Sequence, residues 1–293
     1  MTDVSTPDRP AGTRIGVRAG LAGTVAAVIA GLAVAIASSP AGPPDSGPLA
    51  PGPISAQTTV PPSPRIVVPV VAAADLAALP ESTTESTVAA APLDPAPAAA
   101  TGGAVAHNRT PLPVFDAPGG RAIAQLPARQ AAADTWLPVI EQRPGWVRVL
   151  LPSRPNSATG WLDAAAVVIA RTPYVVRVSL ATARLDLIRE DQLVGRWTVA
   201  IGAAATPTPV GRTFLLAVVA NAKQTFSPLI IALGTHSPTL RTYRGGPATT
   251  AIHTWPDPSV FGRPVSNGCI RVPADALQIL AMVPLGTIVH IQP

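Results

Sequence analysis

The chemistry this chain could perform starts with a thiol and an imidazole. Cys269 is the single cysteine among 293 residues, and His253, one of four histidines, precedes it by 269 − 253 = 16 positions. A free thiol titrates at about pH 8.5, and its thiolate is the nucleophile. An imidazole can take that proton near neutrality, so a thiol beside an imidazole can attack an acyl carbon. The separation is too long for helix neighbours, so the two meet only if the chain folds back. The residues between them favour that. Pro256, Pro258, Gly262 and Pro264 break any continuous helix, and Ser266-Asn267-Gly268 leads tightly into Cys269. Taken alone, the same two residues would also describe a small buried cysteine and an ordinary strand-end histidine.

The surroundings narrow the choice. Ser266-Asn267-Gly268-Cys269-Ile270-Arg271, with Ile252-His253-Thr254 upstream, resembles the signature of the L,D-transpeptidase catalytic domain. That signature is a histidine, a loop of similar length, Ser or Thr, His, Gly, Cys, an apolar residue, and Asn or Arg. Asn267 stands where the family usually has a second histidine. The stretch TPTPVGRTF, Thr206 to Phe214, resembles a Thr-Pro-x-Gly-x-Phe segment of the same family. The resemblance covers about residues 172–293. It implies that Cys269 is the nucleophile, that His253 is its proton acceptor and donor, and that Thr254 orients the imidazole through its backbone carbonyl. Amide groups around Asn267, Gly268 and Cys269 suit an oxyanion, with Ser266 and Asn267 adding hydrogen bonds. Arg271 is fitted either to a substrate carboxylate or to a structural salt bridge.

The implied activity is peptidoglycan cross-linking. A tetrapeptide stem would lose its terminal D-alanine to form a thioester, which an amine of a second stem would resolve. No metal or organic cofactor is implied, and carbapenems are expected to acylate the same cysteine. Two other readings use the same chain: an L,D-carboxypeptidase, in which water resolves the thioester, and a non-catalytic cell-wall-binding protein.

The elements that must position the pair read as mainly β. YVVRVSL and RWTVAIG alternate apolar and polar residues, whereas TFLLAVVA and PLIIALG are near-continuous apolar runs of the kind buried on both faces. ATTAIH is expected as a strand delivering His253. Ala274 to Met282 is expected as a short helix after the nucleophile, and PLGTIVHIQ as a closing strand. His236 is the rival base. His290 sits on the last strand, and His107 is expected to be exposed in a linker.

Upstream, the chain divides by composition. Residues 1–39 carry Arg9, Arg14 and Arg18 before an apolar run, Ala19 to Ala37, long enough as a helix to reach about 28 Å. That run reads as a retained membrane anchor in preference to a signal cut after Ala35-Ile36-Ala37, and either places the rest in the cell envelope outside the cytoplasm. Residues 40–110 are rich in Pro and Ala and read as a disordered linker. Residues 111–170 hold short strands punctuated by Pro-Gly-Gly, Arg-Pro-Gly and Thr-Gly turns, resembling a bacterial SH3-like barrel. Trp136, Trp146 and Trp161 are there for a groove or for a core. Residues 172–293 form the catalytic domain. The net charge of +5 comes without a basic run or nucleic-acid motif; one cysteine allows no internal disulfide, and its place at 269, far from the apolar run, excludes a lipobox.

Overall fold

The computed structural model describes residues 66–220 and 225–293. The segment expected as an anchor or signal lies outside the described residues, and among those described no helix is long and apolar enough to cross a membrane. After a one-and-a-half-turn helix, α1 (Ala73–Ala78), the first sheet is built by β1 (Ala104–His107), β2 (Leu112–Phe115) and β3 (Ala122–Leu126). A small ribbon follows, β4 (Arg129–Gln130) with β5 (Ala133–Asp134). Then β6 (Trp136–Arg143), β7 (Trp146–Leu150), β8 (Thr159–Asp163) and β9 (Val168–Arg171) complete seven strands in the order β3-β2-β8-β7-β6-β1-β9. Trp146 and Trp161 are buried against Phe115, whose ring meets Trp146 edge-on at 5.2 Å. They form core, not groove, and Trp136 stacks on His107.

The second sheet carries the site. A meander of β10 (Tyr174–Ser179), β11 (Arg184–Arg189) and β12 (Gln192–Thr198) opens it. Next come β13 (Ile201–Gly202), β14 (Gly211–Ala220), β15 (Leu229–His236) and β16 (Thr249–His253). After these the chain makes β17 (Pro264–Ser266), β18 (Ile270–Arg271), α2 (Ala274–Leu280) and β19 (Ile288–Gln292). Eight of these strands form one mixed sheet, β12-β11-β10-β19-β14-β15-β16-β18, parallel at β10–β19 and β16–β18. The fold is mainly β, as the sequence pattern requires. Asp275 does not cap α2; its carboxylate accepts the indole N–H of Trp197 at 2.9 Å.

Strand β14 explains the continuous apolar run. Phe214 and Leu216 pack into the core of the first sheet, whereas Leu215 between them packs into the core of the second. Side chains alternate across a strand, so the stretch of β14 sandwiched between two cores, Phe214 to Ala217, is apolar at successive positions. The described residues, 66–220 and 225–293, accordingly fall within one compact unit.

The stretch expected as a disordered linker is structured from residue 66 onward. Its prolines prevent long helices, yet extended backbone can still pair with neighbouring chain. Glu81, Thr87 and Leu93 form bridges to Gln125, Arg154 and Ala158, and Val88 and Ala91 are buried in the first core. Asp94 and Arg212 make a bidentate ion pair, at 2.5 and 2.7 Å, with both side chains buried. His107, expected to be exposed, lies in β1 with Nδ1 3.0 Å from the Thr135 carbonyl.

Candidate active site

Two strands bring the thiol and the imidazole together. β16 ends at His253, and β18 runs parallel beside it with Ile252 opposite Ile270 and His253 opposite Arg271. Cys269 therefore enters its strand at the edge where His253 leaves its own. Between them the chain turns through a 3-10 segment, Pro258–Val260, whose first amide is capped by Asp257. It returns through β17, which pairs with β13. The carbonyl of Ser266 accepts from the Ala203 amide and from the Thr206 hydroxyl, both at 2.9 Å, so the Thr206–Pro207–Thr208 turn underlies the nucleophile loop. Two glycines are required here. Gly268 has φ +106°, and a Cβ on Gly202 would lie 2.4 Å from the Thr206 carbonyl oxygen.

Ser266 is buried and works within the loop: its hydroxyl accepts from the Gly268 amide at 3.1 Å and donates to the Cys269 carbonyl. The Gly268 N–H is thereby engaged within the loop. Asn267 is exposed and donates to the phenol oxygen of Tyr243 at 3.1 Å.

His253 is buried, with Nδ1 2.7 Å from the Thr254 carbonyl oxygen. Phe226 packs edge-on against the ring at 4.9 Å. Thr254 is itself held, its amide donating to the Ser227 hydroxyl at 3.0 Å and its hydroxyl to the Phe226 carbonyl at 3.1 Å. Thr254 thus stands behind the imidazole, with its carbonyl against the ring. Burial pulls the His253 pKa below its ordinary value; the Thr254 contact opposes this and the Arg271 charge reinforces it. Burial pushes the Cys269 thiol up, against a backbone contact with Ala251 and the charge of Arg271. Both shifts favour the neutral thiol and the neutral imidazole near pH 7. They line one cleft of about 70 Å³ together with Ser266, Asn267 and Arg271, without a hydrogen bond between them.

The guanidinium of Arg271 stacks on the Trp255 ring, 3.7 Å from its centroid. It makes no ion pair among the described residues, and its buried Nε has no hydrogen-bond partner there. Trp255, Phe226, Tyr243 and Arg244 complete the lining. None of these was singled out from sequence, although Trp255 sits two residues from His253 on the same extended chain. The rival histidine is elsewhere: His236 is buried with Nε2 2.8 Å from the Thr84 carbonyl, and His290 lies on β19 opposite Arg212. Two larger grooves, of about 560 and 610 Å³, carry neither cysteine nor histidine.

A mainly β domain with a thiol and an oriented imidazole in one cleft is the class that fold and site define. Residues 173–291 match the YkuD family model, the L,D-transpeptidase catalytic domain. The YkuD protein of Bacillus licheniformis is 33% identical over 122 residues, spanning 41% of this chain and 67% of that protein. The Bacillus subtilis strain 168 counterpart is 26% identical over 149 residues, 48% and 84% of the two chains. A solved L,D-transpeptidase from Mycobacterium tuberculosis H37Rv aligns at 15% identity over 54% of this chain and 93% of that one, with a TM-score of 0.38; the assignment does not rest on it. The chain belongs to the L,D-transpeptidase catalytic-domain family, enzymes that cross-link the cell wall.

Proposed function

We propose that this protein is a cysteine-dependent L,D-transpeptidase acting on peptidoglycan stem peptides through a thioester. The observation that carries the reading is the shared cleft of Cys269 and His253, with the imidazole turned by Thr254 so that Nε2 is its unprotonated nitrogen. In the first half-reaction Nε2 takes the thiol proton as sulfur attacks the carbonyl before the terminal D-alanine. The resulting oxyanion is met by the amides of Asn267 and Cys269. Collapse breaks the C–N bond, and His253 returns its proton to the departing amine. In the second half-reaction the acceptor amine attacks the thioester, His253 removes its proton, and the proton ends on the released thiol. Arg271 holds a donor carboxylate; its partly buried guanidinium, whose Nε has no hydrogen-bond partner among the described residues, supports this. Carbapenems are read as acylating the same sulfur.

Residues 172–293 are taken as the catalytic domain and 111–170 as an SH3-like module with cell-wall affinity, with 1–39 as an envelope anchor or signal. Incubation with a carbapenem followed by intact-mass measurement tests the nucleophile: one adduct on the wild type and none on Cys269→Ala is expected. An equal adduct on the variant, or none on the wild type, removes the assignment. Product analysis with purified muropeptides separates the transpeptidase, which yields cross-linked dimers, from a carboxypeptidase, which yields only shortened stems.

A further inference from the structure

We infer that Arg154 and Asn156, in the connection between β7 and β8 of the first sheet, are positioning residues for one wall of the active-site cleft; this rests on the functional reading above. The wall is the excursion 237–247 between β15 and β16. Its base is closed by the Ser237 amide donating to the Ala248 carbonyl at 2.9 Å. Its tip is a two-residue turn in which Tyr243 and Gly246 exchange both backbone hydrogen bonds, with Arg244 at φ 49° and Gly245 at φ 82°. Tyr243 and Arg244 face the cleft, and the Tyr243 phenol accepts from Asn267 beside the nucleophile.

This wall has no core of its own. Pro238, Thr239 and every residue from Arg241 to Gly245 are exposed. A segment without buried apolar contacts is held by its polar ties or opens locally. The ties from outside converge from the first sheet. Arg154 donates to the carbonyls of Pro247 at 2.9 Å, Leu240 at 3.3 Å and, weakly, Ser237 at 3.5 Å, gripping both ends and the middle. Asn156 reads the backbone of His236 in both directions, accepting from its amide at 2.9 Å and donating to its carbonyl at 2.7 Å. Arg154 is anchored in turn: its amide donates to the Ser86 carbonyl at 3.0 Å, and its own carbonyl accepts from Val88 at 2.8 Å.

The residue type matters. A guanidinium fans five N–H groups across a plane and can reach separate carbonyls, whereas an ammonium gives three from one atom. Arg154 has no carboxylate partner among the described residues, so its contribution is this clasp and not an ion pair. The first sheet therefore shapes the cleft whether or not it binds the wall polymer. The base is carried by β16 and the nucleophile stands at the entry to β18, and Thr254 is held by Ser227 and Phe226; none of them lies in the clasped excursion.

The test uses the full chain and a carbapenem, following acylation by intact mass over a concentration series. Arg154→Met should raise the half-saturating concentration about tenfold, equivalent to one or two hydrogen bonds, with the limiting acylation rate within about twofold of wild type. Arg154→Lys should fall between. Arg154→Met combined with Tyr243→Ala should be little worse than Tyr243→Ala alone, because both act through the same wall. Amide exchange in 237–247 should accelerate in Arg154→Met while β14 and β16 keep their protection. Asn156→Ala, scored the same way, replaces Arg154→Met if that variant does not fold. Wild-type acylation parameters in the variants, or additive losses in the double variant, would overturn the inference. If the wild type takes no adduct, the thioester reading fails separately; unchanged exchange in 237–247 would then still refute the clasp.

Discussion

Nδ1 of His253 donates to the carbonyl of Thr254 at 2.7 Å, and the Thr254 amide donates to the hydroxyl of Ser227. This relay fixes which imidazole nitrogen carries the proton: a ring N–H committed to a carbonyl leaves the other nitrogen as the acceptor. His253→Ala should therefore lower carbapenem acylation by about 10²- to 10⁴-fold, the usual worth of a general base. Ser227→Ala, which leaves the ring intact but removes both the acceptor of the Thr254 amide and the donor to the Leu229 carbonyl, should cost about fivefold, or roughly 1 kcal/mol. Single-turnover rates measure both. A wild-type rate in Ser227→Ala would mean that Thr254 needs no help to hold the ring.

The resting charge state makes a second prediction. Burial lowers the His253 pKa below 6.5 and raises the Cys269 pKa above 9.0, so the neutral pair prevails across the neutral range. If the neutral pair is the reactive form, the acylation rate should fall only below pH 6.5, as His253 protonates, and again only on the alkaline side of an ordinary thiol. A pre-formed thiolate–imidazolium pair would behave oppositely, losing activity as the imidazolium deprotonates near or above neutrality. A pH–rate profile with its alkaline limb near pH 8 would sink the neutral-pair account.

Much of this site was legible because it is written in local sequence. The Cys269 loop needs its glycine, the prolines after His253 force a return, and the strand patterns around them are regular. The cleft walls were not legible. Tyr243 and Phe226 reach the site through excursions whose sequence carries no periodicity, and Arg154 reaches the Tyr243 excursion from another sheet. The same limit hid the order in residues 80–100: Pro and Ala read as linker because the pairing that holds them comes from distant strands. Trp146 and Trp161 could have been groove or core on sequence alone, and burial against Phe115 decides it.

Arg271 and Trp255 form a stacked pair at 3.7 Å with no acid nearby among the described residues. Arg271→Lys keeps the charge and loses both the planar stack and bidentate geometry. It should raise KM for a tetrapeptide donor by about 10-fold or more while kcat changes less, since a substrate carboxylate would contact the arginine in ground and transition states alike. Steady-state kinetics on donor stems with and without the terminal carboxylate checks this. Equal losses on both stems would assign Arg271 to tuning the thiol instead.

The buried pair of Asp94 and Arg212 joins the 80–100 strap to β14. Asp94→Asn leaves a buried guanidinium without its countercharge, and removing one partner of such a pair costs about 3–5 kcal/mol. Denaturant unfolding should show that loss. Replacing both residues with apolar side chains of similar size should cost markedly less. A double variant as unstable as Asp94→Asn would mean that the strap needs the ion pair itself and not merely a filled, neutral site.

His236 should contribute to the acid sensitivity of the fold. Its Nε2 donates to the Thr84 carbonyl, while the buried Nδ1 has no partner among the described residues. Protonation would add a charge and an unpaired buried N–H. Burial, more than the Arg154 charge, lowers the His236 pKa, with the Thr84 contact opposing. The unfolded chain, titrating near 6.5, therefore binds its proton first as the pH falls. The stability held by neutral His236 is complete above pH 6.5 and drains away as the pH drops from there toward the folded-state pKa. His253 and His290 are shifted in the same direction and add to the slope. Calorimetric Tm measured from pH 7.5 to 5.0 should fall, and His236→Gln, whatever its starting Tm, should fall less steeply. Parallel slopes for the two proteins would show that the loss comes from the other histidines.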